Sequence, residues 1–156
     1  MKKQLEIEKR LLLKRVPPID YDDKQVIRQF YGPSGRFREV LSGPHGNIIT
    51  YFVTKKTPVS KGVSMEEERE ISRKEFSDAL KKCKKHIKKT RYIKKVGKYK
   101  WEVDVFDFEL VIAEIEVKTK KELKTVKIPK FIQKEIIADV TGDKRFSNLS
   151  LSDNYE

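Results

Sequence analysis

Charged side chains recur along this sequence in sets spaced two residues apart. Glu6, Glu8 and Arg10 form the first set, Arg36 and Arg38 the next, and Lys56 follows Thr54 at the same spacing. Glu66, Glu68 and Glu70, then Lys89 and Arg91, Glu102 and Asp104, and Glu114 and Glu116 complete the series. A spacing of two is the period of a β-strand, so each set shares one strand face. Carboxylate sets suit a hard divalent cation, and Lys/Arg sets suit phosphate oxygens. A single strand of this kind ordinarily turns its charges to water. Repetition over so many segments, with acids on some and bases on others, points instead to one shared polar interior. Such an interior is ruinous in a dry core and sensible in a wet one that holds cations and a polyanion.

The elements that must position these sets read as strands over 3–13, 24–31, 36–41, 47–56, 86–96, 99–106 and 110–117. Glycine- and proline-containing turns separate several of them. The stretch Thr57–Gly62, with Pro58, reads as a loop. Segment 63–71 is ambiguous: its glutamates favour a helix and its place in the series favours a strand. Ser72 has the character of an N-cap, with Glu75 completing a capping box. Phe76, Ala79, Leu80 and Cys83 follow at helical spacing, which predicts a helix over 73–85. Pro129 opens a short predicted helix at 130–137, after a lysine-rich connection. The fold class is therefore all-β to α+β: a closed, eight-stranded antiparallel barrel with a few flanking helices. A barrel of that size has room for side chains or one small ligand.

The 156 residues suit a single domain over 1–156. The chain is 37% hydrophobic and 38% charged, with a formal net charge of +12, so an anionic partner is expected. Cys83 is the only cysteine, which excludes an intrachain disulfide and fits a reducing, cytoplasmic setting. No membrane partner is expected, because no apolar run approaches spanning length. Two histidines are too few for a His-based metal site. The lysines at 81, 82, 84, 85 and 88 read as a solvated helix face, with phosphate contact to nucleic acid as the alternative reading.

The motifs carry a resemblance. Glu6-Ile7-Glu8-Lys9-Arg10 resembles the Glu-x-Glu-x-Lys hallmark of the CYTH superfamily, the triphosphate tunnel metalloenzymes, with arginine in the place of the lysine. Gln29-Phe30-Tyr31 is similar to that family's Gln-Gly-Tyr, Arg36-Phe37-Arg38 to its Arg-x-Arg, and Thr54-Lys55-Lys56 to its Thr-x-Lys. Glu66-Glu67-Glu68 with Ile71 resembles its Arg-x-Glu-x-Glu-x-x-Ile, with Ser64 at the arginine position. Lys89-Thr90-Arg91-Tyr92, Trp101 to Phe106, Ala113 to Glu116 and the tail from Asp139 to Asn148 extend the likeness over residues 5–150, closest to the compact bacterial-type members.

The resemblance implies a metal-dependent hydrolase that cleaves the terminal phosphoanhydride of a triphosphate, inorganic or organic (thiamine triphosphate or a nucleotide). It implies Mg²⁺ or Mn²⁺ held by Glu6, Glu8, Glu66, Glu68, Asp104, Glu114 and Glu116, with Asp139 closing one mouth of the tunnel and contributing to the metal site. It implies a triphosphate held by Arg10, Arg36, Arg38, Lys56, Lys89 and Arg91. Catalytic roles fall to Arg10, Tyr31 and Lys89. Arginine keeps the charge of the usual lysine but cannot serve as a general base. Arg10 then binds phosphate while metal and a carboxylate activate water, or Lys89 takes over, or turnover is weak. The alternatives are a class IV adenylate cyclase, an RNA 5′-triphosphatase and a non-catalytic triphosphate- or nucleotide-binding protein. A small-molecule triphosphate is the expected partner, with nucleic acid only as a 5′-triphosphate end, and the protein a monomer or homodimer.

Overall fold

The computed structural model describes residues 2–83 and 86–147. Nine strands make up one sheet: β1 (Lys2–Leu13), β2 (Asp23–Gly32), β3 (Gly35–Ser42), β4 (Ile48–Ser60), β5 (Val63–Ile71), β6 (His86–Val96), β7 (Tyr99–Phe106), β8 (Val111–Val117) and β9 (Ile136–Asp139). The order β5-β4-β3-β2-β6-β7-β8-β1-β9, with a further β5–β1 pairing, closes eight strands into an antiparallel barrel. The long β1 is the seam. Its first half pairs with β5 and its second half with β9 along one edge, while β8 takes the other edge.

Two apolar layers wrap the outside. On one side the helix α1 (Arg73–Leu80) presses Phe76 against Phe30 and Tyr51, with ring centroids 5.2 and 5.0 Å apart. On the other, Ile7, Leu11, Trp101, Val103, Ala113 and Ile115 pack under the segment that holds α2 (Glu122–Thr125) and α3 (Lys130–Gln133). Aliphatic and aromatic residues therefore occupy the outward positions of strands whose inward positions are charged. That inverts the usual sheet and forces the charges into the lumen.

Local differences from the sequence reading have identifiable causes. Segment 63–71 is a strand, because β1 and β4 hydrogen-bond it on both edges and override the helix preference of its glutamates. Thr57–Gly62 is not a loop throughout: β4 runs on to Ser60, with Pro58 absorbed at a bulge. The helix predicted over 73–85 is shorter, ending at Leu80, with Lys81 and Lys82 in an exposed turn. Lys84, Lys85 and Asn148 lie outside the described residues. Only half of the capping box forms. Ser72 accepts the Glu75 N–H at 3.1 Å, but the Glu75 carboxylate turns to Arg69 at 2.6 Å. The helix predicted at 130–137 covers one turn before β9 begins at Ile136. No helix among the described residues is long and apolar enough to cross a membrane.

Candidate functional site

Strand alternation and barrel closure bring nearly every charged set to the lumen. The register places Arg10 opposite Glu114, Glu114 opposite Glu102, Asp104 opposite Arg91, Lys56 opposite Glu66 and Thr54 opposite Glu68. Glu6 and Glu8 share the Arg10 face of β1, and Arg36 and Arg38 share one face of β3.

One wall, formed by β6, β7 and β8, is saturated with ion pairs. Lys89 Nζ lies 2.8 Å from Asp104, and the two side chains are 1% and 0% exposed. Arg91 donates twice to Asp104, at 2.8 and 2.9 Å, and reaches Glu102 at 3.0 Å. Burial opposes the ionised form of Asp104, but Arg91 and Lys89 outweigh it and hold its carboxyl well below the usual carboxylate range. Burial draws Lys89 down to about 8, which leaves it an ammonium at neutral pH. Beneath this wall, Ile87, Phe106 and Ile112 form an apolar plug with Leu12, Phe108, Leu110 and Phe146.

The opposite wall is incomplete. Lys56 Nζ lies 2.6 Å from Glu6, and Glu6 hydrogen-bonds to Glu66. Burial and the Glu6 neighbour push Glu66 up to about 7, whereas Glu6, despite burial, is held low by Glu66 and Lys56. Oε2 of Glu66 is buried without a hydrogen-bond partner among the described residues. Burial, reinforced by the Glu114 charge, pushes Glu8 up to about 8. Arg38 donates to Glu68 at 2.5 Å, and burial, then Arg36 and Arg91, lower it to about 10. Arg36 makes no salt bridge among the described residues, and its Nε is buried and unpartnered. It borders a cavity of about 530 Å³ together with Tyr31, Thr54, Lys56 and Lys144. A second cavity of about 530 Å³, lined by Glu6, Glu8, Arg10 and Lys56, adjoins it. These two spaces form the mouth of the tunnel.

Arg10 sits between the walls. Its guanidinium lies 2.8 Å from Glu8 and 3.3 Å from Glu114, and donates to the Phe146 carbonyl at 2.9 Å. Its backbone is tied to the tail as well: the Arg10 N–H donates to Thr141 Oγ1, and Val140 N–H donates to the Arg10 carbonyl. Arg10 thus anchors the tail across the mouth. Arg10, with Lys89 and Arg91, brings Glu114 down to about 2 against the cost of burial.

Several residues singled out from the sequence are placed differently from their expected roles. Asp139 does not close the mouth. It lies on the outer side of β1, exposed and 2.8 Å from Lys9, because β9 pairs Asp139 with Leu11, whose side chain faces outward. Lys89 faces the lumen but is held in its ion pair with Asp104, with only 1% of its side chain exposed. Tyr31 does border the mouth; burial raises its pKa, which suits a hydrogen-bond donor and not a base. Glu116 is exposed. Gln29, in the motif with Tyr31, and Glu102, in the charged set with Asp104, carry no role among the expected site residues, yet both face the lumen. Gln29 is 0% exposed between Arg38 and Ile87, with neither amide atom hydrogen-bonded among the described residues. Both could have been found from their spacing to Tyr31 and Asp104.

Among the described residues, no three carboxylates gather closely enough to hold an ion alone. The donor set nevertheless fits Mg²⁺ or Mn²⁺. These ions take one or two carboxylates and complete their shell with substrate phosphates and water. The Glu6 and Glu66 carboxyls, with Oε2 of Glu66 buried and unpartnered among the described residues, are where such a cation would relieve repulsion.

No protein-family model matches the chain, and no functionally curated protein matches it. Solved structures do. It is 24% identical to the inorganic triphosphatase NE1496, with TM-score 0.61, over 94% of this chain and 93% of that one. It is 18% identical to the PH1819 protein from Pyrococcus horikoshii OT3, with TM-score 0.56, over 77% and 82% of the two chains. A Bacillus halodurans protein provisionally named an adenylate cyclase is 15% identical, with TM-score 0.55, over 80% and 87%. At these identities the likeness is one of fold: the chain has the barrel architecture of the inorganic triphosphatase NE1496 and of these relatives.

Proposed function

We propose that the tunnel binds a triphosphate and, with Mg²⁺ or Mn²⁺, hydrolyses its terminal phosphoanhydride, as in the CYTH superfamily its motifs resemble. The observation that carries this reading is the incomplete wall. Glu6, backed by the buried Glu66, borders one open space, and Arg36, without a salt bridge among the described residues, borders the next, while the charges of the opposite wall are matched. Excess carboxylate beside an available guanidinium is complementary to a cation–polyphosphate complex and to neither component alone. The fold it shares with the inorganic triphosphatase NE1496 agrees with it.

Phosphoryl transfer is mostly positioning and charge neutralisation. Arg36 and Lys56 line this cavity and are available to hold phosphate oxygens, Lys144 reaches it from the tail, and Arg38, paired with Glu68, stands behind them. Lys89 and Arg91 act at one remove by setting the wall behind. Glu6 and Glu66 would hold a divalent ion, which would supply the remaining charge neutralisation when bound. Arg10 cannot accept a proton and is committed to Glu8, Glu114 and the tail. Glu8, which lines the mouth beside Arg10, is the carboxyl to take the proton of the attacking water; burial pushes it up to about 8, so it accepts only in the ionised form that gains population as pH rises toward 8. The water oxygen forms the new bond to the terminal phosphorus. The bond to the bridging oxygen breaks, and pyrophosphate and orthophosphate leave.

Purified protein with Mg²⁺ or Mn²⁺ is expected to release orthophosphate from tripolyphosphate, and Glu8→Gln to abolish release while retaining binding. The same panel, with ATP, thiamine triphosphate and 5′-triphosphorylated RNA, reads the alternatives. Cyclic AMP from ATP would mark a cyclase, preference for RNA an RNA triphosphatase, and thermal stabilisation by tripolyphosphate without release a binding protein.

A further inference from the structure

Outside the barrel, beside the mouth, lies a cavity of about 830 Å³ between the β4–β5 turn, residues 120–125 and the start of the tail. Lys61, Lys120, Lys121 and Lys124 line it, all exposed, and no carboxylate pairs with them among the described residues. Its one acid, Asp139, is neutralised by Lys9 at 2.8 Å. Ser60 and Lys61 line both this trough and the mouth cavity that holds Glu6 and Glu8, so the two spaces meet at that turn.

The junction is rigidly built. Gly62 has φ +74°, and its carbonyl accepts the Glu8 N–H at 2.8 Å. Gly142 has φ +71°, and a Cβ there would stand 2.6 Å from Cγ of Lys61. The lysine stem is thus held between a tunnel strand and the tail, at the passage from one space to the other.

We propose that the trough binds the body of a linear inorganic polyphosphate whose end occupies the tunnel. This rests on the triphosphate reading of the tunnel and extends it to chains longer than three phosphates. The chemistry of the lining selects this class of polyanion. No aromatic side chain lines the trough or the adjoining Glu6–Glu8 cavity, so bases of a nucleic acid would find nothing to stack on. What remains is a row of ammonium point charges, which recognise phosphate without regard to what it carries.

The test compares the full-length protein with the triple variant Lys120→Glu/Lys121→Glu/Lys124→Glu, using long-chain polyphosphate, tripolyphosphate and a single-stranded 5′-triphosphorylated RNA as probes. Each lysine–phosphate contact releases roughly one counterion, so the wild-type log Kd should depend on log salt more steeply for the long chain than for tripolyphosphate, by about three. The variant should bind the long chain at least ~10-fold more weakly, and tripolyphosphate unchanged. Long-chain affinity that survives the triple reversal overturns the proposal. So does an RNA that binds more tightly than polyphosphate and is weakened by the same reversal, which would make the trough a nucleic-acid surface. Failure of the wild type to hydrolyse tripolyphosphate would instead refute the tunnel reading; the binding comparison would still decide whether the trough exists.

Discussion

On the β6–β7–β8 side of the tunnel, Lys89 and Asp104 are 1% and 0% exposed, and Arg91 closes a triad with them at 2.8–2.9 Å. Across the lumen, the Lys56 and Glu68 side chains each keep 34% of their surface, burial and Glu6 push Glu66 up to about 7, and Arg36 has no salt bridge among the described residues. Both walls are built from the same residue types at the same spacing. Their difference lies in stoichiometry. Asp104 meets two cations, whereas Glu6 and Glu66 have Lys56 between them. The first wall is already neutral and dry, so its charges hold the barrel in shape. The second is left with charge that only a ligand can balance. Spacing alone marks a lumen; the surplus marks where something binds.

Removing charge from the two walls should therefore have opposite consequences. Asp104→Asn takes the shared partner from two buried cations, and breaking a buried pair in this way costs about 3–5 kcal/mol. Chemical denaturation should show a loss of that size, or no folded protein at all, independent of any added ligand. An Asp104→Asn protein as stable as wild type would mean that the wall is hydrated and the contrast false. Glu66→Gln, in the other wall, should leave the metal-free protein as stable as wild type or more so at neutral pH and above, since it removes a carboxyl whose ionised form is disfavoured by burial and by Glu6. Its expected deficit is functional: thermal stabilisation by Mg²⁺ or Mn²⁺ and phosphate release should both disappear.

Acidity sharpens the same contrast. Glu66 and Glu8 rise from the ordinary 4.5 to about 7 and about 8 in the folded protein. The folded state binds these protons more tightly than the unfolded chain, so their contribution is present below about pH 4.5 and is lost as pH rises through 7 to 8. Asp104 and Glu114 shift the other way, and their contribution is lost only as pH falls below the ordinary carboxylate range. Between pH 5 and 8 the carboxyls shifted into range are Glu66 and Glu8 of the open mouth, while in the sealed wall Lys89, drawn down to about 8, loses its proton only toward the upper end. The melting temperature of the metal-free protein should fall across that interval, and saturating Mg²⁺ should flatten the fall. A flat metal-free profile would show that the surplus charge is already compensated.

Much of the barrel was legible because a period of two is robust. Once Glu102 and Asp104 share a face with each other, and Trp101 and Val103 with each other, inside and outside follow from which set is apolar. Segment 63–71 was not legible, since glutamate in isolation prefers a helix and only the flanking strands decide otherwise. β9 was hidden because four residues are too few to show a period. Asp139 was misplaced for the same reason: whether it faces the lumen depends on its register against Leu11, which is a long-range fact. Nor could spacing reveal that Asp104 would satisfy two cations while Arg36 would find no carboxylate. Partner choice within a lumen depends on strand tilt and shear, which one strand's sequence does not contain.

Arg10 lies on the boundary between the walls, and the smallest expected effect belongs to it. Its fork reaches Glu114 on the sealed side, Glu8 on the open side and the Phe146 carbonyl of the tail at once. Lysine carries the same charge on a single nitrogen and cannot span three acceptors in that plane. Arg10→Lys should therefore keep the barrel and lose the guanidinium contact to Phe146, at about 1–2 kcal/mol for a charge-assisted hydrogen bond. Tryptic cleavage after Lys144 or Arg145 should accelerate, while denaturation shows only that small loss. If turnover rises in the same variant, position 10 trades catalysis for a fastened tail. If turnover falls and cleavage is unchanged, Arg10 serves the phosphate directly, and the tail is held by Thr141 and Val140 without its help.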